Sequence, residues 1–239
     1  MLNFREGEII CINKPYKVSS FGALAFARTR ISRALGIRRC KMGHAGTLDP
    51  LATGVLVLCT GKATKRIEEL QSHDKEYVAT LQFGATTASF DMEHPENEWF
   101  EKDHITEEGL REALKQFVGM IDQVPPVFSA CNVNGKRAYE LARKDRVVEL
   151  KAKPVNIAEI ELQSFDDEKK AAQIRVVCGK GTYIRSLARD IGKAMNSGAY
   201  LTSLCRTRVG EFSLEDCRTY DDFDEWLAGQ EIAPWEPVV

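Results

Sequence analysis

Polar and apolar positions alternate through residues 76–83, so that Tyr77, Ala79, Leu81 and Phe83 share one face of a predicted strand. Tyr77 is therefore either a core residue or a residue at the mouth of a cleft. A continuous apolar run over 55–60 predicts a buried strand, and further strands are read at 8–12, 155–162, 173–178 and 201–208. Ser19 or Ser20 caps a predicted helix that reaches Leu35 and stops at Gly36. Residues 63–70 form a short helix, and Thr106 caps another that runs to about Val118, with Glu107 and Glu108 suiting its first turn. Helices are also predicted over 182–195 and 221–227. Between them, Lys14-Pro15 reads as a turn and Val124-Pro125-Pro126-Val127 interrupts the pattern. Asn134-Gly135 reads as a hairpin turn, and 136–144 as a basic helix carrying Tyr139 and Leu141. The stretch 123–146 is thus expected to form an arm. Strands and helices alternate without a strict repeat, which points to an α+β fold whose mixed sheet carries an active cleft across its middle.

With 239 residues, 44% of them hydrophobic, the chain is long enough for one large domain or two small ones. No low-complexity linker divides it, so one catalytic domain is the economical expectation. No apolar run approaches the ~20 residues that span a bilayer, and residues 1–6 lack a basic segment followed by an apolar core. Secretion and membrane insertion are not expected, and the seven scattered cysteines read as reduced core residues of a cytoplasmic protein. Four unclustered histidines and the lack of a Cys-x-x-Cys pair predict no metal site.

The formal charge of -2 hides an uneven distribution. Residues 215–239 hold eight acids against Arg218, leaving 27 acids and 32 bases, a formal +5, in the first 214 residues. Residues 28–41 carry Arg28, Arg30, Arg33, Arg38, Arg39 and Lys41 with no acid. Such a run suits a phosphate backbone, or is a solvated helix face.

That run leads into Gly43-His44-Ala45-Gly46-Thr47-Leu48-Asp49-Pro50-Leu51-Ala52-Thr53-Gly54-Val55-Leu56. Three glycines permit positive φ or the close approach of a ligand, and Pro50 fixes the chain direction after a single carboxylate. From the residues alone, this is either a loop built to hold Asp49 or an ordinary Gly-rich connection.

The segment resembles the catalytic segment of the TruB family of tRNA pseudouridine synthases, G-H-x-G-x-L-D-P-x-A-x-G-x-L. Gly179-Lys180-Gly181-Thr182-Tyr183-Ile184-Arg185 resembles the same family's S-K-G-T-Y-I-R, without its serine. The likeness runs from about Gly7 to Phe212. It implies the pseudouridine synthase fold, a mixed and largely antiparallel sheet flanked by helices. It also implies isomerisation of uridine 55 in the tRNA T-loop, with a T-arm stem-loop as partner, no cofactor and no obligate protein partner. By this resemblance Asp49 is the catalytic carboxylate and Arg185 pairs with it. Tyr77 stacks on the flipped uracil, Tyr183 is a second aromatic of the pocket, His44 enters the T-loop stack, and Leu204 is an apolar wall against the base. Without the family, both tyrosines and Leu204 read as core, and an Arg185 ion pair as an ordinary helix cap.

Departures from the family pattern are Lys17, where Gly is frequent, His94 in place of a common Gly, and Tyr200 and Cys205 in place of His and Arg. The implied catalytic domain spans residues 1–217, with 123–146 as a thumb-like RNA-binding arm. Residues 218–239 are then an acidic tail, too short for the C-terminal RNA-binding (PUA-type) domain of the usual bacterial members. Two other functions are open: a guide-dependent pseudouridylase of the dyskerin type, and a noncatalytic tRNA-binding or tRNA-folding protein.

Overall fold

The computed structural model describes residues 1–129, 132–133, 136–137 and 150–235. In chain order the elements are β1 (Ile9–Lys14), α1 (Ser20–Ala34), β2 (Met42–His44), β3 (Thr53–Thr60), α2 (Ile67–Ser72), β4 (Lys75–Phe83), β5 (Ala85–Thr87) and β6 (Glu96–Trp99). They continue with α3 (Glu107–Lys115), β7 (Gly119–Gln123), β8 (Asn132–Val133), β9 (Lys136–Arg137), β10 (Lys153–Asp166) and β11 (Ala171–Cys178). The last are α4 (Ile184–Ala194), β12 (Ala199–Val209), β13 (Phe212–Ser213), β14 (Cys217–Arg218) and α5 (Phe223–Ala228). The chain divides into two compact units, one made of Met1–Lys75 with Cys205–Val239, the other of Glu76–Leu204.

In the first unit β1 lies between β14, parallel to it, and β3, antiparallel to it, and the second half of β12 runs parallel to β3. Strand β3 is almost wholly buried because both of its faces are covered. On one side Leu56 and Leu58 pack with Ile10, Ile12 and the α1 residues Ala23, Leu24, Ala27 and Ile31. On the other, Val55, Val57 and Cys59 pack with Cys11, Leu70, Val209 and Cys217. Helix α1 starts where Ser19 accepts a hydrogen bond from the Gly22 amide, and the chain turns away at Gly36, at φ 64°. The acidic C-terminal segment is packed rather than trailing. Phe223 and Leu227 of α5 enter the α1 cluster, Tyr220 stacks on Phe26 at 3.7 Å, and Asp224 pairs with Arg30 at 2.7 Å.

In the second unit the strand order is β12, β4, β11, β10, β7, with β10 antiparallel to both neighbours, and β5 and β6 form a separate antiparallel pair. Strand β4 alternates strictly between buried and half-buried positions, which puts Tyr77, Ala79, Leu81 and Phe83 inside as the spacing predicts. Helix α3 buries Leu110 and Leu114 and packs on β10 and α4. The class is thus α+β with a mixed, largely antiparallel sheet.

Several boundaries differ from expectation. The helix capped by Thr106 ends at Lys115, because residues 119–123 are taken up as β7 by an antiparallel ladder with β10. The helix expected from 182 begins at Ile184, and 63–70 divides into a 3-10 stretch, Gly61–Arg66, followed by α2. The expected basic helix at 136–144 is corrected at its start: Lys136–Arg137 pairs antiparallel with Asn132–Val133. These strands bracket Asn134-Gly135, which lies outside the described residues, as do 138–144.

Candidate active site

In the first unit, Asp49 sits half-buried on the loop between β2 and β3, and the loop is held by buried polar groups on either side of it. Ser20, 3% exposed at the start of α1, donates to the Leu48 carbonyl at 2.9 Å and accepts from the Leu48 amide at 2.8 Å. Lys14, with no solvent exposure, ends β1 and donates its ammonium to the carbonyls of Val18 at 2.6 Å, Pro15 at 3.1 Å and Pro50 at 3.2 Å. The Ala52 amide closes the turn on the Asp49 carbonyl at 3.1 Å. The carboxylate is therefore carried between two backbone anchors, at residues 48 and 50, that do not involve its own side chain.

Arg206, 1% exposed on β12, is the third support. Its Nε donates to the Val55 carbonyl at 2.8 Å and its Nη2 to the Gly46 carbonyl at 3.2 Å. Gly46 and Gly54 have φ of 101° and 105°, a region that side chains rarely adopt. At Gly54 a Cβ would run into the Arg206 backbone, so glycine here serves the pairing of β3 with β12. Of the three glycines noted in the sequence, Gly43 is the exception: its φ is not positive, and a side chain there would meet Ile67.

These cations set the electrostatics. Burial lowers Lys14 to about 8, the Asp49 charge pulls it back up, and Arg206 pushes it further down. Burial also lowers His44, with the Arg206 charge adding to the effect and a hydrogen bond from its ring to the Gly46 backbone opposing it. His44, on β2 five residues before Asp49, is thus held toward the neutral imidazole.

In the second unit, Tyr77 on β4 is 8% exposed, Tyr183 is half-buried as the N-cap of α4, and Leu204 is half-buried on β12. Arg185, in the first turn of α4, is 4% exposed. It donates to the carbonyls of Ser89 at 3.2 Å and Phe128 at 3.0 Å, and its Nε lies 3.7 Å from Asp91 Oδ2. Asp91 is held in turn by the Glu93 amide at 3.0 Å, and Thr87 donates to its carbonyl at 2.6 Å. The Tyr183 amide is capped by Gln123 Oε1 at 2.8 Å, and Ser186 and Arg189 both donate to the Val124 carbonyl, at 2.8 and 3.1 Å. The root of the expected arm is therefore tied to the helix that carries Tyr183 and Arg185.

Lys14, Ser20, Arg206, Asp91 and Gln123 have no role at the site by sequence alone, where Ser20 is only an alternative helix cap and Lys14 the start of a turn. Lys14 and Arg206 left one trace there, a charge at the end of or within an apolar strand. Ser20, Asp91 and Gln123 left no sign of these contacts, since nothing local says that their partners lie 28, 94 and 60 residues away. Arg30 belongs to the expected phosphate-binding run but is paired with Asp224, a contact that only the return of the C-terminal segment creates. Among the described residues no three His, Cys, Asp or Glu side chains gather to hold a metal ion, and no helix is long and apolar enough to cross a membrane.

The model of the TruB family pseudouridylate synthase N-terminal domain matches residues 32–184, the Asp49 loop included, and that of the tRNA pseudouridylate synthase B C-terminal domain matches 185–234. The chain belongs to the TruB family. It is 59% identical over 231 residues to the tRNA pseudouridine synthase B of Phocaeicola vulgatus and 58% identical over 233 residues to that of Bacteroides thetaiotaomicron, with 97% of each chain aligned in both cases. Among solved structures it resembles a chain of a Cbf5-Nop10-Gar1 complex, with a TM-score of 0.69 and 28% identity, covering 95% of this chain and 58% of that one. A chain of the archaeal box H/ACA sRNP Nop10-Cbf5 complex gives a TM-score of 0.65 and 27% identity, covering 93% of this chain and 54% of that one. The chain thus spans little more than half the length of those solved chains and nearly all of these two bacterial relatives.

Membership in the TruB family gives the departures a physical reading. Lys17, read from the sequence as a departure from the family's Gly, has a φ of 64°, the conformation glycine adopts at least cost. Lys17→Gly is expected to stabilise the protein by about 0.5–1 kcal/mol, the relief of left-handed strain less glycine's extra chain entropy, read as a higher denaturation midpoint. Tyr200 donates its hydroxyl to Glu96 at 2.8 Å, and burial, with Glu96 adding, pushes it up to about 12. His94 packs against Phe128 with ring centroids 4.5 Å apart.

Proposed function

We propose that the protein isomerises uridine 55 in the T-loop of tRNA to pseudouridine. The N1–C1′ bond breaks, the uracil turns, and a C5–C1′ bond forms. C5 loses its proton and N1 gains one, so the reaction needs no oxidant, no added group and no cofactor. The observation that carries this reading is the single carboxylate of the family-matched loop, with the residues before and after it fixed by the buried Ser20 and Lys14. A preorganised acid is what a reaction of this kind asks of the protein.

In this reading Asp49 is the nucleophile or base, and Arg185 is the cation that keeps it ionised and oriented. Tyr77 and Tyr183 hold the detached ring; stacking on a base is worth ~1–3 kcal/mol and tolerates rotation of the base in its plane. Leu204 closes the apolar wall and excludes water. A neutral His44 enters the T-loop stack without adding a charge among Lys14 and Arg206. The nucleotide is flipped from its stack to reach them. The catalytic domain spans residues 1–217, the protein works in the cytoplasm, and it needs no protein subunit. The relatives at 58–59% identity that support this are named as tRNA pseudouridine synthases, whereas the ribonucleoprotein chains share 27–28%.

The test is conversion of an unmodified T-arm stem-loop, read as tritium released from 5-tritiated uridine and as a carbodiimide-dependent stop in primer extension. Conversion at position 55 is expected. Binding without tritium release overturns the reading in favour of a noncatalytic tRNA-binding protein.

A further inference from the structure

We propose that a groove on the outer side of α1, lined by Phe21, Arg28, Arg33, Arg38 and Arg39, grips the phosphate backbone of the RNA close to the flipped uridine. This deepens the reading above and rests on it. The groove is made by a local fold-back. After α1 the chain reverses at Gly36, where the Gly36 and Ile37 amides donate to the Arg33 and Ser32 carbonyls at 3.1 and 3.0 Å. The buried Ser32 hydroxyl then accepts from the Cys40 amide at 2.9 Å. The return lays Arg38 and Arg39 beside the helical arginines instead of carrying them away from the end of the helix.

What sets these four guanidinium groups apart is the absence of acid. Among the described residues none of them pairs with a carboxylate, whereas Arg30 of the same helix is matched to Asp224 at 2.7 Å. Arg33, Arg38 and Arg39 are exposed, and Arg28 lies 5.6 Å over the ring of Phe21, which is 63% exposed. Like charges gathered in one depression repel each other, and a polyanion relieves that cost. Guanidinium forks match phosphate oxygens two at a time, and an open ring offers a face to an unpaired base. The inner face of α1 is spent in the core, which leaves Phe21 as the one large exposed apolar side chain in the groove; an acidic membrane would call for more.

Position along the chain ties the groove to the site. Asp49 lies ten positions after Arg39, a reach of at most ~36 Å, so phosphates bound here belong to the same stem-loop as the nucleotide at Asp49.

The experiment compares wild type with an Arg28→Gln/Arg38→Gln/Arg39→Gln variant in binding and turnover of a T-arm stem-loop across a salt series. The expected result is a KM and Kd raised at least tenfold, kcat at saturation unchanged, and a slope of log affinity against log salt shallower by about 2, for three lost phosphate contacts at ~0.7–0.9 each. Phe21→Ala is expected to weaken binding about tenfold with no change in that slope. Triple Arg→Lys replacement keeps the slope and so separates charge from any loss of folding, which circular dichroism checks directly. An unchanged Kd and slope in the folded glutamine variant overturns the proposal. Wild type that binds without converting the RNA leaves the salt slopes readable and counts against the function instead.

Discussion

Asp49→Asn is expected to lower conversion of the T-arm stem-loop by at least ~10³-fold while RNA binding is retained. The exchange removes a charge and a nucleophilic oxygen yet preserves shape. Backbone anchors hold the loop on both sides of that charge: Ser20 holds the backbone of residue 48, Lys14 holds the Pro50 carbonyl, and the Ala52 amide holds the Asp49 carbonyl. A second consequence follows from Lys14, whose value of about 8 is supported by the Asp49 charge. With asparagine there, the ammonium loses that support, and its titration moves below about 8. Asp49→Glu keeps the charge but pushes it a bond length further from the same two anchors, so it is expected to lose about 10²-fold, the cost of misplacing a reacting group by roughly 1 Å. Single-turnover conversion of all three proteins checks the series; wild-type rates for Asp49→Asn would remove Asp49 from the chemistry.

Gly54→Ala is expected to destabilise the protein by about 3 kcal/mol or more, with loss of activity in what remains folded. Two costs combine. An L-residue in the left-handed region pays about 1–2 kcal/mol, and the new Cβ meets the backbone of Arg206, its cross-strand neighbour in the parallel pairing of β3 with β12. Backbone cannot rotate aside as a side chain can, so the strands must separate. Moving Arg206 also strips the Val55 and Gly46 carbonyls of their donors, at about 1–3 kcal/mol for each buried group left unpaired. Gly36→Ala is the control: φ there is 64°, but a Cβ meets nothing within 4 Å, so only the conformational cost of about 1 kcal/mol remains. Urea denaturation of the two variants separates strain from clash, and equal losses would mean that the Arg206 contact does not matter.

The strands with a clear pattern were readable residue by residue. Alternation over 76–83 puts Tyr77 on the apolar face of β4, and Ser19 or Ser20 with Gly36 brackets α1, the structure choosing Ser19 as its cap. Strand β7 was not readable, because its pattern is half exposed and only the ladder with β10 makes it a strand. The short strands β2, β5 and β6 are not readable either: three or four residues carry no period. The candidate catalytic residues were found through motif resemblance rather than through periodicity, which by itself leaves Tyr77, Tyr183 and Leu204 as core positions.

The sequence by itself determined the family, through the fourteen residues around Asp49 and the seven ending at Arg185, and with it the chemistry to expect. It also determined which faces of α1, β3 and β4 turn inward, since burial follows from spacing. Only the tertiary structure decided what holds the loop of the acid in place and which arginines of the 28–39 run meet a carboxylate among the described residues. Lys14 meets Pro50 across 36 residues, Ser20 meets Leu48 across 28, Arg206 reaches Gly46 across 160, and Asp224 comes back to neutralise Arg30. A buried polar group must find a partner, but which partner it finds depends on where the chain returns, and no local pattern records that.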